Sequence, residues 1–154
     1  MWQTYLWVAL GSGVGGAARL LCSDIAERLV GIGFPWGTLS VNVLGSLLIG
    51  VAAALVVPAG RLEPGGALQQ FLMVGILGGY TTFTAFSLQT LDLARNCDLG
   101  KAAGYVAATI DLCLAGAGGA VLTGAGQGRL AGRELTPAWP RCLLPPVRDG
   151  GARQ

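Results

Sequence analysis

The chain has 154 residues, of which 53 % are hydrophobic and 12 % charged, with a mean hydropathy of +0.60 and a formal net charge of +2. Soluble domains carry about 25 % charged residues, so this composition argues against a water-soluble globule, and the small net charge gives no footprint for a nucleic-acid partner. Histidine is absent and the four cysteines are scattered, which supports neither a zinc site nor a disulfide framework.

The charges fall in clusters that leave uncharged windows at 1–18, 29–60, 64–91 and 112–128. A helix needs about 20 apolar residues to cross a bilayer. The windows therefore predict four spans, near 2–21, 37–57, 67–92 and 101–124, in one all-α membrane domain over 1–125. The first span starts at Trp2 with no basic residue ahead and no small-x-small cleavage site, so it reads as a mature helix rather than a signal peptide. Arg19 closes it, either gathering anions at a vestibule or snorkelling to the headgroups.

The first loop, 22–36, ends in Phe34-Pro35-Trp36-Gly37, which suits a helix start at the interface. On the second span Thr38, Asn42, Ser46 and Gly50 stand four apart on one face. The Asn42 amide could hold two helices together, but its place on a polar stripe favours the lining of a path.

The third span carries the most unusual stretch, Gly78-Gly79-Tyr80-Thr81-Thr82-Phe83-Thr84-Ala85-Phe86-Ser87. Adjacent glycines and a threonine cluster are poor helix formers. In lipid, irregular backbone survives only against protein or a water-filled path. A helix broken at mid-membrane thus points to an ion or substrate site. Carbonyls freed at the break could hold a structural monovalent cation. Phe83 and Phe86, three apart on one helical face, could pack or could direct their positive ring edges at a small anion. The threonine hydroxyls could donate to that anion or cap the broken ends.

On the fourth span Tyr105, Thr109 and Cys113 repeat the four-residue spacing. Asp111 lies about 200° round the helix from Thr109 and faces away from that stripe. From 126 to 154 prolines and arginines read as a flexible C-terminal tail. Small-xxx-small pairs recur, at Gly11/Gly15, Ser46/Gly50, Gly75/Gly79 and Ala120/Gly124. Four spans have few interior faces for so many stripes, which predicts at least a dimer. Arg61, Arg129, Arg133 and Arg141 flank one side of the bilayer, and Arg19, Arg28, Arg95 and Lys101 the other. That balance fixes no orientation and is compatible with insertion both ways.

Three motifs resemble the small bacterial Fluc (CrcB) fluoride channels: Gly15-xxx-Arg19, the Phe34–Gly45 run Phe-Pro-x-Gly-Thr-Leu-x-Val-Asn-x-x-Gly, and Gly78–Ser87. The resemblance covers about residues 11–124. It implies a fluoride-selective passive channel, not an enzyme, in the bacterial inner membrane, exporting cytoplasmic fluoride to relieve its toxicity. The implied assembly is an antiparallel dual-topology homodimer in the lipid bilayer, with two pores and a buried sodium ion. By position, Asn42 would point into a pore, Phe83 and Phe86 would edge the fluoride path, and Thr38, Tyr105 and Thr109 would form its polar track. Arg19 would stand near the vestibule, and the backbone carbonyls of Gly78 and Thr81 would bind sodium. The chain departs from the family at Thr84, Gln89, Cys113 and Asp111. Two other functions compete: a proton-coupled cation exporter with Asp111 as carrier, and a non-conducting assembly protein in which Asn42 serves packing alone.

Overall fold

A computed structural model describes residues 2–31, 33–56 and 66–130, and these form five helices with no strand among them. Helix α1 is Trp2–Val30; α2 is Trp36–Val51, continued through wider turns over Ala52–Val56. Helix α3 occupies residues 67–80, α4 is Phe83–Arg95, and α5 is Leu99–Leu130. Four segments are long and apolar enough to cross a membrane: Trp2–Val30, Trp36–Ala54, Ala67–Arg95 and Leu99–Thr123. The third of these contains both α3 and α4. Most of the proposed tail, 131–154, and part of the loop bearing Arg61 lie outside the described residues.

The first helix is longer than the window 2–21, and the loop expected from residue 22 begins only at Gly31. Twenty-nine residues at about 1.5 Å each exceed the ~30 Å hydrocarbon core, so the charged turn Asp24–Arg28 projects beyond it. Charge ended the apolar window without ending the helix. Gly31 does that, with φ +104° and its N–H bonded to the Glu27 carbonyl at 2.9 Å.

Glycines set how closely the spans approach. A Cβ built on Gly11 would sit 2.6 Å from the Phe71 carbonyl oxygen, and one on Gly79 would sit 2.7 Å from that of Ser12. Helices α1 and α3 therefore meet backbone to backbone. Gly50 meets Ala117 of α5 in the same way, at 2.6 Å. Gly11, Gly15, Gly50, Gly75 and Gly79 thus lie against neighbouring helices of the same chain.

Helix α4 ends in a Schellman motif. The Asp98 N–H bonds to the Leu93 carbonyl at 3.1 Å and the Cys97 N–H to that of Ala94 at 3.2 Å. Cys97 occupies the left-handed position, φ +61°, where glycine is the usual residue. A side chain there costs about 1 kcal/mol. Cys97→Gly should therefore raise the melting temperature in detergent by a few degrees; an unchanged or lower value would show that the turn carries no strain.

Candidate functional site

The interruption of the third span falls on Thr81 and Thr82, whose backbones are extended (φ −78°, ψ 154° and φ −147°, ψ 117°). It does not fall on the glycines. Gly78 is helical (φ −67°, ψ −35°), so the break does not use its conformational freedom.

What holds the chain open at this point is Asn42. Its Nδ2 donates to the Thr82 carbonyl at 3.0 Å, and its Oδ1 accepts the Thr82 N–H at 2.8 Å. Both residues are buried, at 8 % exposure each. An amide side chain thereby supplies the donor and acceptor that a continuous helix would have supplied. This satisfies the backbone where water is excluded. One Nδ2 hydrogen remains after these two bonds.

The threonine hydroxyls settle on capping. Thr82 Oγ1 accepts the Ala85 N–H at 3.3 Å, making Thr82 the N-cap of α4, and Thr84 Oγ1 lies 3.1 Å from it. Thr81 Oγ1 donates back to the Leu77 carbonyl at 3.2 Å. These bonds divert two N–H groups from the carbonyls they would meet in a continuous helix. The Thr82 N–H, which would bond Gly78 O in a continuous helix, is taken by Asn42. The Ala85 N–H, which would bond Thr81 O, is taken by the Thr82 hydroxyl. Gly78 and Thr81 thus present oxygens of the kind that hold an alkali cation. Carbonyl oxygens are ligands an alkali cation accepts, and two from one chain are too few to replace its water.

Beside the break lies a cavity of about 400 Å³. Its wall takes Asn42, Gly45, Ser46 and Ile49 from α2, Leu77, Gly78, Thr81 and Thr82 from the interrupted span, Phe83 and Phe86 from α4, and Thr109, Ile110, Cys113 and Leu114 from α5. None of these side chains is charged. Phe83 is 77 % exposed, so the chain leaves this wall unfinished. Thr109 Oγ1 is buried with no hydrogen-bond partner, an arrangement that costs about 1–3 kcal/mol unless a ligand or water completes it.

Behind the wall the rings form a continuous stack. Phe83 and Phe86 lie 5.3 Å apart at 47°, Phe86 and Tyr105 5.2 Å apart at 47°, and Phe34 stands edge-on to Tyr105 at 5.4 Å and 88°. The Tyr105 ring is wholly buried, and its hydroxyl donates to Gln89 Oε1 at 3.0 Å.

The structure therefore brings Asn42, Phe83, Phe86, Thr109, Gly78 and Thr81 together around one cavity. Thr38, itself buried, and Tyr105 stand outside its wall, Tyr105 behind Phe86. Arg19 is not in the wall either; it is half-buried on α1, and its Nε has no partner. Asp111 is exposed and has no ion pair, the pair Lys101–Asp98 being the one among the described residues. Gly45 is a wall residue that the sequence reading passed over. A Cβ there would run into the Thr81 methyl group, and its place three residues after Asn42 on the same stripe was the available signal.

A profile of the family described as "CrcB-like protein, Camphor Resistance (CrcB)" matches residues 6–124. The chain is 48 % identical over 110 residues to the "Fluoride-specific ion channel FluC" of Opitutus terrae, covering 71 % of this chain and 83 % of that protein. It is 46 % identical over 114 residues to the protein of the same name from Rhodospirillum rubrum, covering 74 % and 88 %. It is 45 % identical over 129 residues to that of Paracoccus denitrificans, covering 84 % and 97 %.

Proposed function

Since the chain belongs to the CrcB family of multi-pass membrane proteins, we propose that it is a fluoride-selective passive channel, not an enzyme, exporting cytoplasmic fluoride across the bacterial inner membrane. One observation carries this reading: an uncharged cavity in which hydrogen-bond donors and two phenylalanine rings converge on a broken membrane helix. Fluoride is small and strongly hydrated, so a pore must replace its water without trapping it. The remaining Asn42 N–H and the unpartnered Thr109 hydroxyl offer donors. The rings offer positive edges, and no fixed charge in the wall holds the ion. Neutral HF crosses membranes and dissociates inside the cell; the channel lets the trapped anion out and so relieves its toxicity. The exporter reading needs Asp111 in the path, and Asp111 lies on the outer face of α5, away from the cavity.

The working assembly is an antiparallel dual-topology homodimer with two pores. Supporting it are the exposed Phe83 in an unfinished wall and the even distribution of arginine and lysine across the two sides. A second copy would double the Gly78 and Thr81 carbonyls to four around a shared sodium ion. Its charge would steady the break, and conduction would pass beside it. In liposomes loaded with fluoride, efflux should be fast, blind to chloride and independent of a proton gradient. Efflux requiring that gradient and abolished in Asp111→Asn would establish the exporter instead. Protein stripped of sodium and reconstituted without it should conduct several-fold less; full activity would overturn the sodium site.

A further inference from the structure

A second cavity, of about 220 Å³, is lined by Glu27 of α1, Phe34 and Pro35 of the first loop, and Gln89, Asp92, Leu93 and Asn96 of the third span. Tyr105 separates it from the first. Its ring packs at 5.2 Å on Phe86, a wall residue of the first cavity, and at 5.4 Å on Phe34 of the second. Its hydroxyl is bonded to Gln89, also of the second. A path that continued past the Phe86–Tyr105 pair would open into this second cavity. The Gln89 amide has its oxygen engaged by Tyr105, which leaves its N–H groups to face an anion. The cavity also holds the carboxylates of Glu27 and Asp92. Neither has an ion-pair partner among the described residues; Glu27 is half-buried, and Asp92 is exposed, as are the neighbouring cations Arg28 and Arg95, which stand outside the lining.

Given the channel reading, on which this step rests, we infer that Glu27 and Asp92 form an acidic mouth that limits the rate of fluoride passage. Carboxylates at the mouth of a path lower the local concentration of an anion there. The same amide and carboxylate chemistry would make fluoride leave the Gln89 donors quickly, at the cost of being slow to enter from that side. Because the two carboxylates come from different spans, the sequence shows them as unrelated surface charges.

The test is fluoride efflux from liposomes at low and high ionic strength, comparing the native protein with Glu27→Gln/Asp92→Asn and with Asp92→Asn alone. At about 20 mM salt the double variant should conduct roughly threefold faster and the single variant should fall between it and the native protein. At ~0.5 M salt the gain should shrink below about twofold, because the Debye length falls to a few ångströms. The charge-keeping exchange Glu27→Asp/Asp92→Glu should match the native rate at both salts. Native efflux with no gain in the neutral variants, or a gain that ignores salt, would overturn the acidic mouth. Absence of fluoride efflux from the native protein would overturn the channel reading itself.

Discussion

Replacing Phe83 with isoleucine should abolish most fluoride efflux, by about a hundredfold, while leaving the folded protein intact. The side chain is 77 % exposed in the single chain, and its one ring–ring contact among the described residues is with Phe86, at 5.3 Å, so its removal takes little from the core. What it removes is a positively polarised ring edge in the cavity wall, and isoleucine has none. Edge-to-face ring contacts are worth about 0.5–1.5 kcal/mol; with a ring edge on an anion taken at the upper end, about 1.4 kcal/mol is a factor of ten in rate. With a second copy completing the dimer, each pore would lose more than one edge. Phe86→Ile should abolish efflux as well, but that variant also vacates space against Tyr105 in the buried cluster Leu39, Phe86 and Tyr105, at a cost of about 1–3 kcal/mol in stability. Phe83→Ile is therefore the cleaner experiment. Size-exclusion elution and melting temperature should match the native protein while the fluoride electrode records almost no efflux. Native efflux from Phe83→Ile would remove the rings from the mechanism.

Much of the fold was legible because lipid imposes a simple code. Hydropathy alone located four spans, and the pairs Gly11/Gly15 and Gly75/Gly79 marked faces that do meet. The reach of α1 to Val30 was not legible, since polar residues end the apolar window without breaking a helix. The break was legible as an event within Gly78–Ser87, but not which residues leave the helix. Gly78 and Gly79 read as poor helix formers, yet both stay helical, and Gly79 supplies a close approach to Ser12. Thr81 and Thr82 leave the helix because a residue forty positions earlier takes the Thr82 N–H and C=O, and no local propensity reports such a bond. The placement of Thr38 and Tyr105 outside the cavity wall was hidden for a related reason. Both share a face with pore candidates, but Phe86 stands between Tyr105 and the cavity.

Asn42 should prove the most sensitive residue in the chain. In the sequence it offered two readings, a clamp between helices or a lining of the path, and its geometry joins them. The same amide that caps the break leaves one N–H beside the cavity. Asn42→Leu keeps the side chain's approximate size and strands the buried Thr82 N–H and C=O together. An unsatisfied backbone group costs about 1–3 kcal/mol by mutational measure and several in hydrocarbon. Two of them approach the whole stability of a small domain, about 5–15 kcal/mol. The melting temperature in detergent should therefore fall by more than about 10 °C, and fluoride efflux should be lost. Asn42→Asp divides the two roles. It retains an acceptor for the Thr82 N–H but turns a lone pair against the Thr82 carbonyl and sets a negative charge beside an anion path. Its stability loss should be smaller than that of the leucine variant and its loss of efflux just as complete. If Asn42→Asp conducts at the native rate, the amide serves only as a clamp. If Asn42→Leu melts with the native protein, the break is held open by α1, through Gly15 and Gly79, instead.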